Sequence, residues 1–194
     1  MRFLLLRFLE SKSSKLLNWF LKFENAIVFV FRMGILILFW EISFHFIWYN
    51  QFLLESYNSF SLLVIEMILH NCAFLLDLFQ YNVETDSVNR ILRLQDTSGV
   101  EIGGACIGFE VTAFFTALII SFKGSITKKI WFIPLGILII YILNLIRISA
   151  LALLVTIDPE IWELNHKFIF TIIVYSFIFM MWRYWLQLNS NLRK

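Results

Sequence analysis

Residues 130–157 pass with a single charge, Arg147. As a helix this run is about 42 Å long, more than the ~30 Å hydrocarbon thickness of a bilayer. In water such a segment needs a polar shell to bury it, and the chain has none to offer. Of its 194 residues 60% are apolar and 15% charged, where soluble domains carry about 45–50% and about 25%. The mean hydropathy is +0.78. The chain reads as a small polytopic membrane protein of one domain.

Other classes drop out quickly. With 22 Phe, 7 Trp, 2 Pro and 7 Gly the composition fits neither disorder nor a loop-rich secreted scaffold. Cys72 and Cys106 are too few for a disulfide framework and form no C-x-x-C pair. A net charge of +2 is too mild to imply nucleic acid, so the basic residues read as topology determinants. No phosphate-binding loop, G-x-S-x-G elbow or H-E-x-x-H motif is present. His45, His70 and His166 stand far apart, so neither a metal nor another cofactor is expected.

Along the chain, residues 1–25 mix Arg2, Arg7, Lys12, Lys15 and Lys22 with Leu, Phe and Trp. This predicts a basic amphipathic arm on an anionic cytoplasmic leaflet. A membrane domain follows over 26–188, then a short basic tail over 189–194. Full spans are expected at 26–49, 105–122, 130–157 and 166–188. The stretch 61–80 is apolar but carries Glu66, His70 and Asp77 on one helical face. Residues 81–104 alternate loosely around a turn signal and predict a small hairpin outside the bilayer.

Charge placement sets the sidedness. Lys123, Lys128 and Lys129 between two spans predict a cytoplasmic loop, whereas 158–165 has acidic residues and no Lys or Arg. Four spans then put both termini inside, and 61–80 becomes a tilted, re-entrant or interfacial helix on the outer side. The expected fold class is an all-α membrane helix bundle. It has four to five transmembrane helices and an extracytoplasmic hairpin ahead of Cys106.

This topology brings three reactive residues to one depth, the outer end of the bundle. Cys106 opens its span after Gly103 and Gly104, Arg147 lies about 26 Å along its helix, and His166 begins the last span. A thiol, a guanidinium and an imidazole at one level suit a nucleophile, a charge stabiliser and an acid/base. The glycines let a substrate backbone come close. Asn144, one turn before Arg147, and Glu110, one turn after Cys106, stand ready to support the set.

Each residue also has a structural reading. A membrane cysteine is often a small packing residue, and a His at a helix start is often a cap. Arg147 could pair with Glu110 as a lock between helices, with Asn144 joining helices by a hydrogen bond. That describes a non-enzymatic assembly protein. Glu41, Glu66 and Asp77 suggest a third class, a small proton-coupled transporter. Cys72 is the weaker nucleophile, because its neighbours His70 and Asn71 diverge from it around the helix.

Taken in order, Cys106-Ile107-Gly108, Asn144-Leu145-Ile146-Arg147 and His166 resemble the motif set of the exosortase/archaeosortase family. Small size and a basic N-terminus are most similar to the exosortase F branch of Bacteroidota. The resemblance extends over about residues 60–188. It implies a cysteine transpeptidase or protease of the bacterial inner membrane, with its N-terminus cytoplasmic and its site facing the periplasm. The implied substrates are proteins bearing a C-terminal sorting signal, that is, a short motif, one transmembrane helix and a basic tail. A lipid or glycan carrier is a further implied partner, as acceptor. By this analogy Cys106 is the nucleophile, Arg147 the substrate or oxyanion binder and His166 the acid/base, with Gly108 completing the first motif. The chain departs from the family at Ile107, where Ser is usual, so no hydroxyl is available there.

Overall fold

The computed structural model describes residues 2–94, 99–122, 124–157 and 170–190, with side chains described from residue 26 onward except those of Ala105, Ile157, Phe170 and Ser190. His166, the acidic loop 158–165, Lys123 and the last four residues lie outside the described set.

Helix α1 runs from Arg2 to Tyr49, so the backbone of the basic arm is continuous with the first span, Ala26–Tyr49. A single residue, Asn50, turns the chain into α2, Gln51–Asp77. Its extended backbone and its side-chain oxygen, which accepts from the Leu53 N–H at 3.2 Å, cap the new helix. Three short antiparallel strands follow: β1, Val83–Asp86; β2, Ile91–Leu94; and β3, Val100–Glu101, in the order β1-β2-β3. The hairpin expected from the alternation of 88–94, the turn signal at 96–99 and the strand at 100–102 is therefore the last two strands, β2 and β3, of a three-stranded sheet, and β1 is the strand that the sequence did not announce. Val83 pairs with Leu94, and Leu92 with Val100. A one-turn helix α3, Gly104–Ile107, leads into α4, Phe109–Ser121. Next comes α5, Ile126–Ile157, and α6 is Phe170–Ser190.

Two expectations need correction. The helix expected at 61–80 begins ten residues earlier, at Gln51. Glu55, Ser56, Asn58 and Ser59 lower the local hydropathy and hid the start, although the Asn50 cap supplies the helix signal. At 27 residues α2 has the length and hydropathy to cross a membrane, as do Ala26–Tyr49 and Ile126–Thr156. Yet its contacts run across the bundle. Tyr57 and Phe60 meet Phe109, Asn71 meets Tyr141, and Cys72 meets Leu145. Some 22 Å of α2 thus stays near one level of α4 and α5, which is the course of a strongly tilted helix.

The span expected over 105–122 is broken. Gly108 adopts φ 82°, ψ 16°, the left-handed conformation, and separates α3 from α4. Cys106 sits on the short piece above the break, and α4 alone is 13 residues, about 20 Å.

Two cores follow from this arrangement. At the sheet end, Leu92, Leu94, Val100 and Ile102 pack with Ile68, Leu69 and Leu76 of α2 and with Ile148 and Leu151 of α5. At the other end, Phe115 and Ile119 of α4, Phe132 and Ile140 of α5 and Ile178 and Trp185 of α6 are buried together. There α4 and α5 meet at Gly136, where an added Cβ would strike the fully buried Phe115 ring. This second end is also the lysine end. Lys129 donates to the carbonyls of Ile120 and Phe122 that terminate α4, and Lys128 to that of Leu188 in α6. These carbonyls have no partner within their own helices, so the cations both satisfy them and oppose the helix dipoles.

Candidate active site

The site lies where the two cores meet. Cys106 is buried at 4% exposure, and its N–H donates to the Gly103 carbonyl at 2.9 Å. Beside Gly103 and Gly104 the space is open: an added Cβ would have no neighbour within 4 Å at either position. The backbone leading to the thiol can therefore be approached, as expected from the sequence.

From α5, two side chains one turn apart reach the same cysteine. Asn144, itself buried, donates its amide to the Cys106 carbonyl at 2.5 Å. Arg147 brings its Nη2 to 4.0 Å from the Cys106 sulfur. The separation of three residues puts both on one face of α5, so one helix grips the backbone of Cys106 and aims a fixed cation at its sulfur. Buried Arg147 Nε has no hydrogen-bond partner among the described residues. A guanidinium carries five donors and cannot be neutralised, so this arrangement leaves donor capacity for an incoming oxygen.

Gly108 closes the geometry. Its left-handed backbone starts α4 in a new direction immediately after the cysteine, and an added Cβ would lie 3.9 Å from the Asn144 amide. Cys106, Gly108, Asn144 and Arg147 are thus brought together. Glu110 is not part of this set: it is exposed in the first turn of α4, and no ion pair joins it to Arg147 among the described residues. The helix lock considered for an assembly protein is therefore not made. Glu66, His70 and Asp77 lie on the exposed face of α2 and Glu41 is exposed on α1. No chain of carboxylates crosses the described interior. Cys72 is fully buried, its thiol 3.7 Å from the Leu145 carbonyl, in the position of a packing residue. Among the described residues no group of His, Cys, Asp and Glu could hold a metal ion.

One polar pair escaped the reading of the sequence. Asn71 of α2 donates to the Tyr141 hydroxyl at 2.7 Å. Tyr141 precedes Asn144 by three residues and so shares its face of α5, a periodicity that could have flagged it. Tyr141 and Asn144 line a cavity of about 150 Å³ on the lysine-end side of the cysteine, together with Ile107, Gly108, Val111 and Val174.

No curated protein and no solved structure matches the chain. The family model described as transmembrane exosortase matches residues 15–184, a stretch that takes in α2, the sheet, Cys106, Asn144 and Arg147. With that match covering most of its length, the chain belongs to the transmembrane exosortase family.

Proposed function

We propose that this membrane protein is a cysteine transpeptidase or protease that removes C-terminal sorting signals from exported proteins. The observation that carries the reading is the convergence of Asn144 and Arg147 on Cys106, one holding its carbonyl and the other 4.0 Å from its sulfur. A packing cysteine has no need of a cation at the sulfur, whereas a nucleophilic one does.

In this mechanism the Cys106 sulfur attacks the scissile carbonyl carbon. A new S–C bond forms, and negative charge gathers on the carbonyl oxygen beside the Arg147 guanidinium. The thiol proton passes through His166, acting as base and then as acid, to the departing amine as the C–N bond breaks. The products are a thioester on Cys106 and the released helix with its basic tail. An amine or hydroxyl of a lipid or glycan carrier, or water, then attacks the thioester and restores the thiol. Ile107 takes no part in the proton chemistry, having no hydroxyl.

The reading puts the protein in the bacterial inner membrane, with the lysine end cytoplasmic and the sheet end periplasmic. Support comes from Lys128 and Lys129, which are gathered at one end of the bundle opposite Cys106. The basic residues interleaved with Leu, Phe and Trp over 1–25 support an assignment to the exosortase F branch.

The test is membrane proteomics of the native host carrying wild-type protein or Cys106→Ala at equal abundance. Proteins retaining an intact C-terminal helix and basic tail are expected to accumulate only in the variant. Unchanged processing by Cys106→Ala, with the protein present at its normal level, would remove the thiol from the mechanism.

A further inference from the structure

The cavity beside the site has a size, a lining and a position that together suggest an occupant. Its volume is about 150 Å³, and its walls come from α2 (Val64), α4 (Val111, Thr112), α5 (Ile137, Ile140, Tyr141, Asn144) and α6 (Val174), with Ile107 and Gly108 at its head. An apolar space of about 150 Å³ accepts a group the size of a benzene ring. It is partly open, so a chain running outside it can seat one side chain within. Both neighbouring cores are closely packed, so the gap forfeits contacts that an occupant would restore.

Position narrows the choice further. Asn144 belongs to both places: its amide holds the Cys106 carbonyl, and its side chain forms part of the cavity wall. The other α5 residues in the lining precede Asn144, and the α4 residues follow Gly108, so the cavity lies on the lysine-end side of the sulfur. Through its bond from Asn71, the Tyr141 hydroxyl ties α2 to α5 at the cavity and holds that wall in place.

We infer that this cavity is a specificity subsite. It receives the first apolar side chain on the helix side of the bond that Cys106 cleaves. The inference rests on the proposed enzymatic reading and deepens it. A substrate helix lying in the bilayer presents apolar side chains on the lysine-end side of the nucleophile, while its extended motif stays at the level of the sheet. Seating one side chain beside Gly108 fixes how far the substrate rises and so which carbonyl meets the sulfur.

The test uses the full-length protein in its host membrane, comparing wild type, Cys106→Ala, Val111→Phe and Val174→Phe. The two filling variants act from opposite walls, on α4 and α6. The readout is the uncut fraction of each substrate, sorted by the size of the first apolar residue after the cleaved bond. Each filling variant is expected to raise the uncut fraction about ten-fold or more where that residue is Leu, Ile, Met or Phe, the scale of one displaced group in an apolar pocket. Substrates with Ala there are expected to be cut as before. Size-independent cutting by both variants at normal abundance overturns the subsite. No accumulation in Cys106→Ala overturns the enzymatic reading, and the subsite with it. Should the filling variants fail to reach normal abundance, Val111→Ala decides. It is expected to admit a Trp-bearing substrate that wild type leaves uncut, and failure to do so overturns the proposal.

Discussion

A methyl group at Gly108 would meet no hard obstacle, because its nearest neighbour is the Asn144 amide at 3.9 Å. The penalty for Gly108→Ala lies in the backbone, where a left-handed residue with a Cβ costs about 1–2 kcal/mol. Thermal unfolding in detergent is therefore expected to show a loss of that order. Gly108→Asn should lose less, since Asn tolerates this conformation better than Ala. At this scale the sequence was most informative. Asn144 and Arg147 were legible because helical spacing puts them on one face and an arginine inside an apolar run demands a reason, and Cys106 because charge placement set it at the depth of Arg147 and the set resembles a known family's motifs. The cavity was not legible, because its walls come from four helices and a volume has no signature in any one of them. The break at Gly108 was also missed. In a run of apolar residues a single glycine reads as part of the helix until its φ is known.

Among the elements, α2 and the sheet carry the contrast between local and distant information. The β1–β2 turn is local. Asp86 accepts from the N–H groups of Asn89 and Val88 and from the Asn89 side chain. These bonds, the Asn89 N–H first, hold its carboxyl below the usual carboxylate range. A carboxylate with a lowered folded pKa stabilises the turn above the ordinary value and loses that contribution as pH falls through the lowered one. Hydrogen exchange at Val88 and Asn89, corrected for intrinsic rates, is expected to be flat from neutral pH down to about 5, then to lose protection below about 4. Asp86→Asn should abolish the pH dependence. The course of α2, in contrast, is set by what it rests on. Its periodicity announces a helix and its capping residue marks the start. Its tilt follows from Phe109, Tyr141 and Leu145, which lie far along the chain.

For the molecule as a whole, the sheet and the lysines stand at opposite ends, which makes sidedness measurable. Both native thiols are buried, so a membrane-impermeant maleimide should leave the parent protein largely unlabelled. A cysteine placed at Asn89, in the β1–β2 turn, is expected to label from the outside of intact spheroplasts. One placed at Ser125, just before α5, should label only after lysis. The reverse pattern would invert the topology. Helix α5 holds the segment bearing the thiol at two points. Lys129 grasps the last carbonyls of α4 and Asn144 grasps the Cys106 carbonyl, fifteen residues further along the same helix and beyond its internal Pro134. In effect α5 is a caliper, its two jaws closed on the two ends of one piece. The depth of the sulfur is therefore gauged by protein against protein. A thicker or thinner bilayer would slide past the site without resetting it.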